Sequence, residues 1–168
     1  MATLKLSKLS LMLSIILWGT LLGGIAYSHL VYFPVYLSAL PDSAVIVNGP
    51  YGLNEGRFWG LIHPLLILSL IATIVVNWNQ KARRKLIGIT IAIYVLAILA
   101  TALYFVPELI AFANSPNLSV SAEEWVARGR RWQRLSWLRG VLMYIGLVPL
   151  LFALARPMGD PKVVTTAA

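Results

Sequence analysis

Four segments of this chain, at about 10–33, 58–78, 86–106 and 137–154, are almost uncharged apolar runs long enough to cross a bilayer as helices. A hydrocarbon layer of ~30 Å takes about 20 residues at the helical rise, and inside it every backbone polar group must find a partner within the segment, which selects helix. A soluble core is excluded by the balance of residues: 59% are hydrophobic and 12% charged, too apolar for a chain of 168 to hide from water. The sequence therefore predicts an all-α, integral membrane, up-down four-helix bundle, one domain over 1–168. The apolar run after Lys5 and Lys8 continues past Ala26 to Pro34, so it reads as a permanent span and not as a cleaved leader.

The bases orient the bundle. Lys5, Lys8, Lys81, Arg83, Arg84, Lys85, Arg156 and Lys162 lie in the N-terminal tail, the second loop and the C-terminal tail, with Asp160 as the one acid among them. The bias of cytoplasmic loops toward Lys and Arg then places both termini in the cytoplasm, as expected of a multi-pass protein of a bacterial inner (plasma) membrane. The net charge of +8 is scattered over helix ends, which points to anionic lipids and the lipid bilayer as partners and not to nucleic acid. Pro34 and Pro107 are expected to end the first and third spans. Ser121 and Glu124 form a capping-box pair, predicting a helix from about 122 to 155. At ~1.5 Å per residue that is about 50 Å, so its outer extension, about 122–136, must project outward or lie across the bundle mouth.

Few ionisable groups enter the apolar belt, and each is costly there. His29 and His63 both fall about five residues below the outer end of their spans, ~7 Å deep. Two imidazoles at one level can hold a b-type haem or a metal ion, and either can act as a base; the alternative is that each satisfies itself on backbone or water. Glu108, just after Pro107, can complete a metal site or serve as a base, whereas Glu55 is expected to be a solvated loop carboxylate. The absence of cysteine removes disulfides, thiolate ligands and thiol nucleophiles, and no His-x-x-His or Glu-x-x-His pattern indicates a zinc or di-iron site.

The stretch Trp125 to Arg139 is the second unusual feature. At helical spacing Arg128, Arg131, Trp132, Leu135 and Arg139 share one face. Arg139 lies inside the last span and is expected to turn toward Glu108 or an anionic ligand. Arg131, Trp132, Arg139 and Trp59 are the candidate substrate- or cofactor-binding residues, while Arg130 and Arg134 suit lipid headgroups or intrahelical pairing. Tryptophans near the span ends, Trp18 and Trp78 inside and Trp59, Trp125, Trp132 and Trp137 outside, read as interfacial anchors. Gly19 and Gly23 form a Gly-x-x-x-Gly pair that suits close helix contact, inside the bundle or with a partner.

Three pieces together resemble the anthrone-oxygenase-like family of small four-helix membrane proteins: Tyr27 to Leu40, Ala102 to Phe112, and the run Arg131, Trp132 to Arg139 entering the last span. The family's final helix typically carries a tryptophan, an asparagine and an arginine, and the matching positions are Trp132, Ser136 and Arg139. Ser136 departs from the asparagine, and Glu108 from a neutral polar residue. The resemblance implies an up-down helical bundle and, in some members, oxidation of polycyclic phenolic compounds by dioxygen.

Two functions are expected on these grounds. One is a membrane redox or oxygenase-like protein whose outer-half pocket takes a planar lipophilic small molecule or haem, with His29, His63 and Glu108 as catalytic candidates. The other is a non-catalytic accessory subunit of a complex, or a lipid- or lipophile-binding protein, with homo-oligomerisation open.

Overall fold

A computed structural model describes residues 2–157, with side chains from Lys5 onward. Asp160 and Lys162, which entered the charge count, lie outside the described residues. Four helices are long and apolar enough to cross a membrane. The first, α1, is α-helical over Ala2–Tyr27, opens into a π-helical turn at Ser28–Tyr32 and closes with Phe33–Tyr36. The second, α2, spans Gly56–Val76. The third, α3, runs over Lys81–Ala100, through a π-helical turn at Thr101–Phe105, to Val106–Ala113. The fourth, α4, spans Ala122–Ala155, the extent the capping box predicts, with Ser121 Oγ accepting from the Glu124 amide at 3.2 Å.

Neither Pro34 nor Pro107 ends its helix. A proline ring collides with the carbonyl four residues back in a regular α-helix, and both chains of hydrogen bonds change pitch just ahead of the ring. The Phe33 amide bonds to the Ser28 carbonyl and the Val106 amide to the Thr101 carbonyl, each five residues back. The widened turn lets the helix continue past the proline. It also places two π-turns, a geometry concentrated at functional sites, on facing helices at the same end of the bundle.

That end is more than a mouth. The start of α4 neither projects freely nor lies across the opening; it packs against the extended ends of α1 and α3. Phe33, Tyr36, Leu37, Phe105, Phe112, Trp125 and Trp132 form an aromatic cluster stacked above the main apolar core of Trp18, Leu21, Leu66, Ile87 and Leu150. Trp18, Trp125 and Trp132 are fully buried and so belong to the core and not to an interfacial belt. The indole N–H of Trp18 donates to the Met143 carbonyl (2.9 Å) and that of Trp132 to the Phe105 carbonyl (3.0 Å). A methyl group at Gly146 would overlap the Trp18 ring, so the glycine is what admits that indole. Gly19 and Gly23, by contrast, face open space: a methyl group at either would meet nothing within 4 Å among the described residues.

The basic end is stitched by hydroxyls and amides. Ser14 Oγ meets Ser69 Oγ (2.7 Å) and Thr73 Oγ1 (2.9 Å). Ser7 donates to Asn77 Oδ1 (2.5 Å) and accepts from the buried Arg83 (3.0 Å), whose other arm reaches the Arg156 carbonyl. Such bonds tie helices where apolar burial alone drives little association.

Candidate functional site

The aromatic end encloses a cavity of about 680 Å³, within the range that takes a multi-ring small molecule. Both π-turns wall it: Ser28, His29 and Tyr32 on α1, Thr101 and Phe105 on α3. Trp59 and His63 close it from α2, Trp132 and Arg139 from α4. His29, His63, Trp59, Trp132 and Arg139 are thus brought to one site, as the sequence suggested.

Arg139 is the dominant charge there. One arm donates to Thr101 Oγ1 (2.7 Å), the other to Ser136 Oγ (3.0 Å), and the guanidinium carbon stands 4.2 Å from the Phe105 ring centre. Among the described residues no carboxylate pairs with it. The expected partner, Glu108, is held instead in a two-pronged bond by Arg128, at 2.8 and 3.2 Å. Arg128 lies about three turns nearer the start of α4 than Arg139, level with Glu108, and so reaches it instead. Glu108 is consequently tied up beside the cavity and is not among its walls, which corrects its assignment as a base or metal ligand. Arg131 is exposed and off the cavity as well: the inward stripe of α4 runs Trp125, Gly129, Trp132, Ser136, Gly140, and Arg131 falls one residue off it.

His29 is fixed in one tautomer. Its Nδ1 lies 2.8 Å from the Ile25 carbonyl, which can only accept, so Nδ1 carries the proton and Nε2 accepts from the Ser136 hydroxyl at 2.9 Å. Ser136 therefore couples His29 to Arg139, a role without a polar signal of its own in the sequence, although the resemblance marks that position. With both nitrogens engaged, His29 has none free to bind a metal. Among the described residues no group of three His, Asp or Glu converges either. The donor set does not fit a metal ion or a haem iron shared by His29 and His63.

His63 differs. Its Nδ1 meets the Tyr94 hydroxyl at 2.7 Å and its ring stacks on Trp59, centroids 5.7 Å apart at 26°. Nε2 has no protein partner among the described residues, which leaves it available to a ligand.

Glu55, read from the sequence as a solvated loop carboxylate, instead lines the cavity at the rim and accepts from Ser28 Oγ at 2.6 Å. Burial holds its carboxyl above the usual carboxylate range, the bond from Ser28 offsetting part of that effect. No sequence signal marks this pairing, since Ser28 opens the π-turn of α1, which the sequence does not reveal.

No protein-family model, curated protein or solved structure matches this chain.

Proposed function

We propose that this chain is a four-span protein of a bacterial inner membrane, both termini cytoplasmic, and that its outer-half cavity binds a planar lipophilic molecule bearing an acidic oxygen and oxidises it with dioxygen. The observation that carries this reading is Arg139: a guanidinium on an apolar cavity wall, anchored by two hydroxyls and matched by no carboxylate among the described residues. A desolvated cation of that kind is stabilised by an anionic ligand oxygen. Helix lengths and the distribution of Lys and Arg support the membrane topology. The exposed Arg130, Arg131 and Arg134 suit anionic lipid headgroups.

The chemistry follows from the two free functions of the site. Nε2 of His63 takes a proton from an acidic C–H of the ring system, and Arg139 holds the resulting enolate oxygen, lowering the cost of the charge. The carbanion reduces dioxygen, forming a C–O bond to a peroxide that His63 reprotonates. Loss of the second C–H proton with cleavage of the O–O bond leaves a ketone and water. This is the conversion that the resemblance to anthrone-oxygenase-like proteins implies, and it uses no metal. It is tested by oxygen uptake of the purified protein with anthrone: acceleration that disappears in His63→Gln and Arg139→Met supports it, and an unaccelerated rate with the native chain removes it.

The competing reading is a non-catalytic lipophile-binding subunit. It is favoured by the outward-facing Gly19 and Gly23, which leave a close-approach surface on α1 for another helix. Native mass measurement in detergent decides it: a stable second copy or partner supports the subunit, and a monomer opposes it.

A further inference from the structure

We infer that the cavity opens sideways, between α2 and α3, so that its ligand is a membrane-dissolved acidic amphiphile that arrives from the lipid and not from the water. This rests on the cavity being a binding site, the reading given above, but its geometry is independent of the ligand's chemistry.

Three observations carry it. First, α1 packs along α2 and α4, and α3 along α4, whereas α2 and α3 touch least of the neighbouring pairs. The loosest seam of the bundle is therefore flanked by the two helices that supply Trp59 and His63 on one side and Thr101 and Phe105 on the other. Second, Val106 belongs to two surfaces at once: it lines the cavity and is 43% exposed. Val106 thus stands where the cavity wall and the accessible surface meet. Leu53 and Asn54 in the loop before α2 and Arg57 in its first turn also line the cavity and are exposed, and the surface next to Val106 is apolar, with Leu103 80% and Ile110 57% exposed.

Third, the direct route from the loop end is strapped. Asn48 Nδ2 donates to the Ala113 carbonyl at 2.5 Å, tying the 42–48 segment to the end of α3, and the Leu53 amide bonds back to the Ile46 carbonyl at 2.8 Å. The loop end thus carries hydrogen-bonded ties, whereas the α2–α3 seam is the one where neighbouring helices touch least. Arg57 at the rim then meets an acidic headgroup at the depth where lipid headgroups lie, and Arg139 receives the acid once the ring body has passed between the helices.

The chain has no cysteine, so single cysteines report cleanly. Val106→Cys and Leu109→Cys, with Leu118→Cys in the exposed α3–α4 loop as reference, are reconstituted in phosphatidylcholine vesicles and treated with pyrenylmaleimide, which partitions into lipid, or with a charged, impermeant methanethiosulfonate. Relative to Leu118→Cys, both α3 cysteines should favour the lipid-soluble reagent by more than about tenfold, the least expected from the cost of carrying charge into hydrocarbon. Equal or faster reaction with the charged reagent overturns the inference, because the cavity then opens to water. Reaction with neither, while Leu118→Cys labels, overturns it as well, because the seam is then sealed. None of these outcomes depends on oxygenase activity or on Arg139, so a failed oxygen-uptake assay leaves the portal standing and a sealed seam leaves the chemistry standing.

Discussion

Arg139 and Thr101 meet across the cavity at 2.7 Å, the guanidinium of α4 on the hydroxyl presented by the π-turn of α3. The same hydroxyl donates to the Ala97 carbonyl at 2.7 Å, so its lone pairs are aimed by the helix and the arginine is aimed by the hydroxyl. Thr101→Val keeps the volume and removes the acceptor. We predict that this variant binds an acidic ring compound such as 1-naphthoate about three- to tenfold more weakly, the value of one ordinary hydrogen bond, because the ligand keeps its own contact with the guanidinium. Affinity for neutral naphthalene should be unchanged, both read by quenching of tryptophan fluorescence.

Ser136 is buried between His29 and Arg139, donating to one and accepting from the other. Ser136→Ala leaves His29 Nε2 buried without a donor, at a cost of about 1–3 kcal/mol. The expected outcome is a lowered midpoint of denaturant unfolding in mild detergent. An unchanged midpoint would mean that the hydroxyl is not coupled to the imidazole.

His63 and Tyr94 form the pair that leaves one imidazole nitrogen free. His63→Gln should abolish oxygen uptake with anthrone while leaving 1-naphthoate affinity within about threefold, since a base acts on the barrier more than on the bound state. Tyr94→Phe removes only the orienting bond at 2.7 Å and should retain a measurable rate, lower by about tenfold or more.

Glu55 predicts a pH dependence of stability with a definite sign. Its carboxyl is raised above the usual range by burial, so the folded chain holds that proton to a higher pH than the unfolded chain does. Stability from this group is present below the ordinary carboxylate pKa and is lost as pH rises from there through the folded value. Glu55→Gln cannot ionise and should flatten that fall. Thermal unfolding of both proteins from about pH 4 to about pH 8, bracketing the ordinary carboxylate value, reads it: the difference between them should grow with pH.

Much of this fold is legible in the chain because period and length carry it. The four apolar runs, the Ser121 cap and the full extent of α4 follow from counting residues. The helices past Pro34 and Pro107 are not legible, because a proline near the end of an apolar run signals a break, and whether the turn ahead of it widens to carry the helix on is decided by packing. The same device hides half of the site. His29, His63, Trp132 and Arg139 stand out as polar or aromatic residues in apolar sequence, whereas Ser28, Thr101 and Ser136 look like ordinary small helix residues until the π-turns and the inward stripe of α4 aim them. Charge pairing is similarly a matter of level along the bundle: Arg139 is the partner expected for Glu108 from the sequence, yet Arg128, about three helical turns nearer the start of α4, is the one level with that carboxylate.

The central claim, that Arg139 is there to hold an acidic oxygen on a lipophilic ligand, is tested most directly by equilibrium titration of the native chain and Arg139→Met with 1-naphthoate and naphthalene in the same detergent. The account predicts that the native chain prefers the acid and that Arg139→Met weakens the acid by about ten- to a hundredfold, the range for a charge-assisted hydrogen bond in a desolvated site, with naphthalene affinity kept within about twofold. Equal losses for both compounds, or no preference in the native chain, would contradict it.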